Sequence, residues 1–149
     1  MKSMRIGLLA QQTDTHIETI RYYEKQGLLP EPQRDTANFR VYQAQHVERL
    51  NFIRQCRLLD LSLEEIRQLL EVKDTPAASC DAVNQVVDEH IHHVQQRIQE
   101  LQGLAEKLQH IRGQCQTAQA AARCGILQEL SQPVSAQDKA ELSRETHLK

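Results

Sequence analysis

Between Asp81 and Arg112 the chain holds no proline and a single glycine, Gly103, and its apolar residues recur at intervals of three and four. Val87, Val94, Leu101 and Leu108 fall seven apart, with Ile91, Ile98 and Ala105 filling the intervening positions of the same stripe. Held for about four heptads, that alternation is a coiled-coil seam, which a lone helix cannot bury. At about 1.5 Å per residue the segment predicts a helix about 48 Å long, with Cys80 and Cys115 at opposite ends.

Toward the N-terminus the pattern changes to short elements. Ile6, Leu8, Leu9 and Ala10 predict a short apolar helix, followed by a turn at Thr13-Asp14. Thr15 and Glu18 have capping-box spacing, so a second helix is expected to open at His16 and to stop at Gly27 as its C′ residue. Two short helices with a tight turn form a helix-turn-helix candidate. Ile17, Ile20 and Glu24 share one face of the second helix, while Glu18, Thr19 and Tyr22 lie opposite, with Arg21 at the edge. The outward face, with Thr15 and His16 at its start, can meet base edges, and Arg21 a phosphate. Taken alone, the same pattern equally describes a small helical hairpin with a solvated face.

The next stretch separates these readings. Leu28-Leu29-Pro30, Pro32, Ala37-Asn38 and then Phe39-Arg40-Val41-Tyr42 predict a β-hairpin, with Phe39 and Val41 on one side and Arg40 and Tyr42 on the other. A helix-turn-helix followed by an arginine-bearing hairpin is the layout of a winged helix, with Arg40 placed to grip phosphates. A helix is expected from about Gln43 to Leu59, spacing Val47, Leu50, Ile53 and Arg54 or Arg57. Ser62 and Glu65 form a second capping box, opening a helix that packs Ile66, Leu69 and Leu70. Thr75-Pro76-Ala77-Ala78 is a hinge. Beyond Leu130 the chain is polar without a periodic apolar face and is expected to be disordered.

The fold class that follows is mainly α. It comprises a winged helix-turn-helix DNA-binding domain over 1–74 and a hinge and coiled-coil dimerisation helix over 75–112. A metal-binding loop and short helix over 113–130 and a disordered tail over 131–149 complete it.

With 149 residues, 3% aromatics and no Trp, the core is modest. No apolar run approaches the roughly 20 residues of a membrane span, and the start of the chain lacks a signal-peptide pattern; a cytoplasmic protein with no membrane partner is expected. The net charge of −2 hides an asymmetry: residues 1–60 carry nine Lys/Arg against seven acids, the remainder nine against thirteen. That balance permits a DNA-facing first half. No phosphate-cradling glycine loop and no nucleophile–base pair points to an enzyme.

Four cysteines in a reducing compartment favour metal or redox chemistry over structural disulfides. If two long helices pair antiparallel, Cys80 of one chain arrives beside Cys115 and Cys124 of the other. Three thiols then meet twice per dimer, as in a metal sensor built across a dimer interface. Cys80 lies at a helix start, where exposed N–H groups favour a thiolate. Thiolates select Zn, Cd, Hg, Pb or Cu(I) over Mg and Ca. Three thiolates leave less surplus charge on a divalent ion than on Cu(I), which favours a divalent metal. Cys115 and Cys124 by themselves also read as a disulfide or redox pair, the basis of an alternative redox or thiol-stress sensor. Cys56, in IRQCRLL, reads as an ordinary core cysteine.

The segments IGLLAQQTDTHIETIRYYEKQGLLPEPQR, NFRVY and HVERLNFIRQCRLLDLSLEEIRQLL closely resemble the MerR family of bacterial transcription regulators, through about residue 130. SCDAVNQVVDEHI and CGILQEL are similar to its lead-, cadmium- and zinc-responsive branch, the PbrR and CadR types. The resemblance implies a homodimer on an over-long promoter spacer that, on binding a divalent soft metal (Pb, Cd, Zn or Hg), distorts the double-stranded DNA so that RNA polymerase can use it, activating heavy-metal resistance genes. Carried over, Arg21 matches the family's recognition-helix arginine, Tyr22 and Tyr23 its aromatic pair, Phe39 and Arg40 its wing pair, and Arg57 a backbone contact. The metal ligands map onto Cys80, Cys115 and Cys124. Lead-type members usually carry a further cysteine just before the recognition helix, where this chain has Thr15. Members sensing monovalent ions have Ser where Cys80 stands. The cadmium type resembles a second, harder site that Glu65, Asn84, His90 and His93 form here; His110 and Gln114 are placed to offer Cys115 a fourth donor.

Overall fold

The computed structural model describes residues 2–145. In chain order it comprises α1 (Ile6–Thr13), α2 (Ile17–Lys25), β1 (Gln33–Arg34), β2 (Arg40–Val41), α3 (Ala44–Leu58), α4 (Leu63–Lys73), α5 (Asp81–Arg112), α6 (Gly125–Leu130) and α7 (Ala136–Glu145), with a 3-10 turn at Ala121–Arg123. The fold is mainly helical: a winged helix-turn-helix followed by one long helix, dividing after His92 into two compact units.

In the first unit α1 ends on Asp14, whose left-handed conformation (φ 48°) turns the chain toward α2. The expected capping box at Thr15 and Glu18 does not form. α2 opens one residue later, with His16 as its N-cap and no side-chain cap. Thr15 is spent on the turn itself: its N–H donates to Ala10 O at 3.0 Å and its hydroxyl to Thr13 O at 3.0 Å. Gly27 (φ 73°) supplies the positive φ that stops α2, and the Leu28 N–H then returns to Tyr23 O at 3.0 Å.

The second capping box is present, with Ser62 Oγ accepting from Glu65 N (3.1 Å) and Ser62 N donating to Glu65 Oε1 (3.0 Å). At α3 the same job falls to His46, whose Nδ1 accepts from Gln43 N at 3.0 Å. The wing pairs Gln33 with Val41 and Arg34 with Arg40. Asp35 Oδ1 closes its turn by accepting from Ala37 N and Phe39 N. Two 2.8 Å backbone bonds between Met4 and Tyr42 then stitch the chain start onto the wing.

Leu9, Ile20, Leu50, Ile53, Ile66 and Leu70 are fully buried or nearly so and tie α1, α2, α3 and α4 into one core; each contributes about 1.5–3 kcal/mol over exposure. Cys56 lies in this core, and so does Val86 of α5, so the first turns of the long helix belong to the first unit.

The second unit holds the rest of α5, the loop after it, α6 and α7. The expected seam is a half-exposed stripe: Val87, Ile91, Val94, Ile98, Leu101 and Leu108 are between 41% and 58% exposed. The tail expected to be disordered carries α7 instead. Ser135 Oγ caps it by accepting from Asp138 N at 3.1 Å, and Lys107 grips Asp138 and Glu141 at 3.2 and 2.8 Å. These are polar and ionic contacts, which a search for apolar periodicity does not register. Residues 146–149, part of the same expectation, lie outside the described residues. Among the described residues no helix is long and apolar enough to cross a membrane.

Candidate DNA-facing surface and thiol sites

The eight residues expected to meet DNA fall on three shallow concavities. Thr15 and His16 line one, with Asp14 and Glu18. Thr19, Tyr22 and Arg57 line a second, where Arg57 is steadied by donating to Leu61 O at 2.9 Å. Arg21, Phe39 and Arg40 line a third, of about 300 Å³, together with Arg5 and Arg34. Tyr22 and Phe39 stay 47% and 59% exposed, whereas Tyr23 turns into the core.

Arg5 and Arg34 were not anticipated. The bridge between Met4 and Tyr42 places Arg5 over the Phe39 ring (4.7 Å to the centroid) and against Asp35 at 2.7 Å. The Asp35 carboxyl is held below the usual carboxylate range, first by the Phe39 N–H and also by Arg5, against partial desolvation. Arg34 donates to Asn38 O at 2.9 Å. A signal for Arg34 existed: in an antiparallel pair, directly opposed residues share a face, and Arg34 opposes Arg40. Four arginines on one concavity suit a phosphate backbone.

Cys80 is exposed and immediately precedes α5, its carbonyl accepting the first helical bond from Asn84 N at 3.0 Å. Cys115 and Cys124 are free, half-buried and close together. The Cys124 thiol is drawn below its ordinary value, foremost by the Leu127 N–H, then by the Ile126 N–H and the Cys115 side chain, with desolvation opposing. Gly125 makes the approach possible, because a Cβ there would collide with the Gln114 carbonyl. The loop after α5 and the start of α6 therefore pack backbone to backbone. Sequence reading passed over Gly125, although a glycine directly after a cysteine at a helix start was the available sign. His110 Nε2 lies 3.5 Å from Gln114 Nε2 and 3.9 Å from Glu129 Oε1. Cys56 is buried, and desolvation pushes its thiol up.

Of the harder donor set, Glu65 and His90 meet in the first unit. His90 Nε2 lies 2.8 Å from Leu59 O, which can only accept, so that nitrogen carries the proton. Nδ1 faces Glu65 Oε2 at 3.0 Å, both atoms being buried; desolvation raises the Glu65 carboxyl, but the Ser62 backbone and side chain, with His90, outweigh it and hold it below the usual carboxylate range. Asn84 is exposed in the first turn of α5, and His93 follows His90 by one turn along the same helix.

A family profile described as "MerR HTH family regulatory protein" matches residues 4–73, and one described as "MerR, DNA binding" matches residues 47–111. The chain is similar to the HTH-type transcriptional regulator ZntR homolog of Haemophilus influenzae, 47% identical over 109 residues, which cover 73% of this chain and 81% of that protein. It is also similar to the HTH-type transcriptional regulator ZntR of Escherichia coli, 39% identical over 133 residues (88% of this chain, 94% of that protein). Among solved structures it resembles the transcription regulator PbrR691 from Ralstonia metallidurans CH34 in complex with lead(II). That match has a TM-score of 0.81 at 46% identity and covers 86% of this chain and 99% of that one.

Proposed function

This chain belongs to the MerR family of helix-turn-helix transcription regulators, and from that premise we propose that it activates promoters in response to a divalent soft metal. The observation carrying this reading is the placement of thiols around α5. Cys115 and Cys124 come together after its C-terminus, Cys80 sits at its N-terminus, and the apolar stripe between them is half-exposed. A second copy pairing antiparallel along that stripe joins one chain's Cys80 to the other's Cys115 and Cys124. Three thiols, one of them already biased toward thiolate, suit lead, cadmium, zinc or mercury. Similarity to ZntR and to the lead-bound PbrR691 supports the same range.

In this reading residues 1–74 bind promoter DNA, 75–112 dimerise and 113–130 hold metal, and the cytoplasmic homodimer works with RNA polymerase. Glu65, Asn84, His90 and His93 form a second, harder site suited to Zn or Cd, supported by the buried 3.0 Å approach of His90 Nδ1 to Glu65 Oε2. The neighbouring free thiols of Cys115 and Cys124 support one other reading, a thiol-oxidation sensor on the same scaffold.

The test is transcription in vitro under reducing conditions. Comparable footprints with and without Pb(II) or Cd(II), with transcription only when metal is present, are the expected result. By linkage, metal shifts the bound complex only through differential affinity for its two states. Release from DNA on adding metal, or a response to oxidant alone, defeats the proposal.

A further inference from the structure

At the junction of α3 and α4 two ion pairs lie side by side. Glu48 Oε1 meets Lys73 Nζ at 2.8 Å, and Arg49 meets Asp74 through two bonds of 2.6 and 2.9 Å. They look equivalent, since consecutive residues of α3 hold consecutive residues at the end of α4. Among the described contacts, however, the Glu48–Lys73 pair stops at α3. Arg49 continues, its Nε donating to Leu28 O at 2.7 Å. Leu28 is the buried residue that closes the end of α2 through its own N–H bond to Tyr23 O. One planar guanidinium therefore holds the end of α4 on one edge and the end of the recognition helix on another. Its fork is rigid, so Asp74 and Leu28 move together or a bond breaks.

Asp74 is the last capped residue of α4, with its N–H on Leu70 O at 2.8 Å. Cys80 follows six residues later, across a segment shortened by the turn from Ala78 N to Thr75 O. Six residues reach at most about 20 Å when fully extended, so this short hinge bounds how far Cys80 can shift without moving Asp74.

We propose that Arg49 is a positioning residue that transmits occupancy of the Cys80 thiol to the recognition helix, through Asp74 on one side and Leu28 O on the other. The inference rests on the metal-responsive reading above and adds the route within it. Glu48 and Lys73 serve as the internal control, because they share the α3–α4 contact and lack the bond to α2.

The experiment compares full-length wild type with Asp74→Asn, Arg49→Lys and Glu48→Gln, each with and without Cd(II). It follows amide exchange over residues 17–28, Cd(II) affinity by competition, and metal-driven transcription. Asp74 is half exposed, so its variant leaves the core intact. Arg49→Lys keeps the charge but cannot hold both partners. In the wild type, Cd(II) is expected to change exchange over residues 17–28 about fivefold or more, in the usual range of coupling between sites. Asp74→Asn and Arg49→Lys reduce that change, and activation with it, to under about twofold while Cd(II) affinity holds; Glu48→Gln behaves as wild type. A normal response from Asp74→Asn, an equal loss in Glu48→Gln, or a lost Cd(II) affinity in Asp74→Asn overturns the route alone. A wild type that neither binds Cd(II) nor activates with metal overturns the regulator reading beneath it.

Discussion

The Tyr42 hydroxyl donates a 2.6 Å hydrogen bond to Glu24 Oε1, fastening the end of the wing to the recognition helix. Arg40 Nη1 lies 3.8 Å from the other oxygen of the same carboxylate. Wing and helix thus share one anchor, and the Tyr42 phenol is pushed well above its usual value, first by burial and then by the Glu24 carboxylate. Tyr42→Phe removes the donor but keeps the ring. A hydrogen bond to a charged group is worth about 1.5–3 kcal/mol, so denaturant unfolding should show a loss at the lower end of that range, because Glu24 can recover water. Operator affinity should fall as well. Unaltered affinity in a folded variant means that the wing does not depend on this anchor.

Phosphate contacts announce themselves through salt. Arg40→Ala and Arg57→Ala should weaken operator binding across sequences and each flatten the salt slope by about one unit. Arg5→Ala and Arg34→Ala, in the same concavity as Arg40, should do likewise. Substitutions of Thr19 or Tyr22 should alter sequence preference instead. Binding measured at several salt concentrations separates the two groups, and slopes unchanged in all four arginine variants remove the wing from the interface.

Gly125→Ala tests the packing that brings two cysteines together. The added methyl meets the Gln114 carbonyl, so the α6 start must retreat from the loop carrying Cys115. A soft-metal site that depends on that approach should lose affinity about tenfold or more, the usual cost of disturbing the groups that orient a metal's ligands. Operator binding without metal should be unaffected, because the substitution lies outside the first unit. Full metal affinity in Gly125→Ala shows that the loop can open without cost.

Acid should loosen the end of α4. The Arg49 guanidinium holds the Asp74 carboxyl below the usual carboxylate range, against slight burial. A depressed folded-state pKa adds stability that is fully present above the unfolded value, about 3.9, and is lost as pH falls through the folded one. Asp74 is 51% exposed, so the effect stays within about 1 kcal/mol. Unfolding curves from neutral pH down to the acid limb should show a shallower decline for Asp74→Asn than for wild type.

Most of this architecture was legible because its determinants are local. The heptad stripe of α5, the Ser62–Glu65 capping box and Gly27 as a helix stop are each written within a few residues, and each appears where spacing placed it. The rest depends on contacts that no helical or strand period encodes. Thr15 spends its donors on the turn behind it rather than on the helix ahead. Arg5 reaches the wing only because Met4 pairs with Tyr42. α7 is anchored by a lysine 31 and 34 residues earlier, which no periodicity signals. Cys115 and Cys124 were expected together, but the close packing of Gly125 on the Gln114 carbonyl beside them has no period to signal it.

The source of the three thiols yields the sharpest test. A 32-residue α5 separates Cys80 from Cys115, about 48 Å at 1.5 Å per residue, so the proposed site borrows Cys80 from a second copy. Cys80→Ser and Cys115→Ser homodimers should each lose tight metal binding at both sites, since removing one of three thiolates leaves a poor soft-metal site. In a heterodimer of the two variants, one site carries both serines. The other joins an intact Cys80 to an intact Cys115 and Cys124. Two inactive proteins should therefore regenerate one working site, seen as thiolate-to-metal absorption at half the wild-type amplitude per heterodimer. Ligands drawn from a single chain leave every site in the mixture broken. No recovered absorption in a verified heterodimer would falsify the antiparallel, intersubunit arrangement.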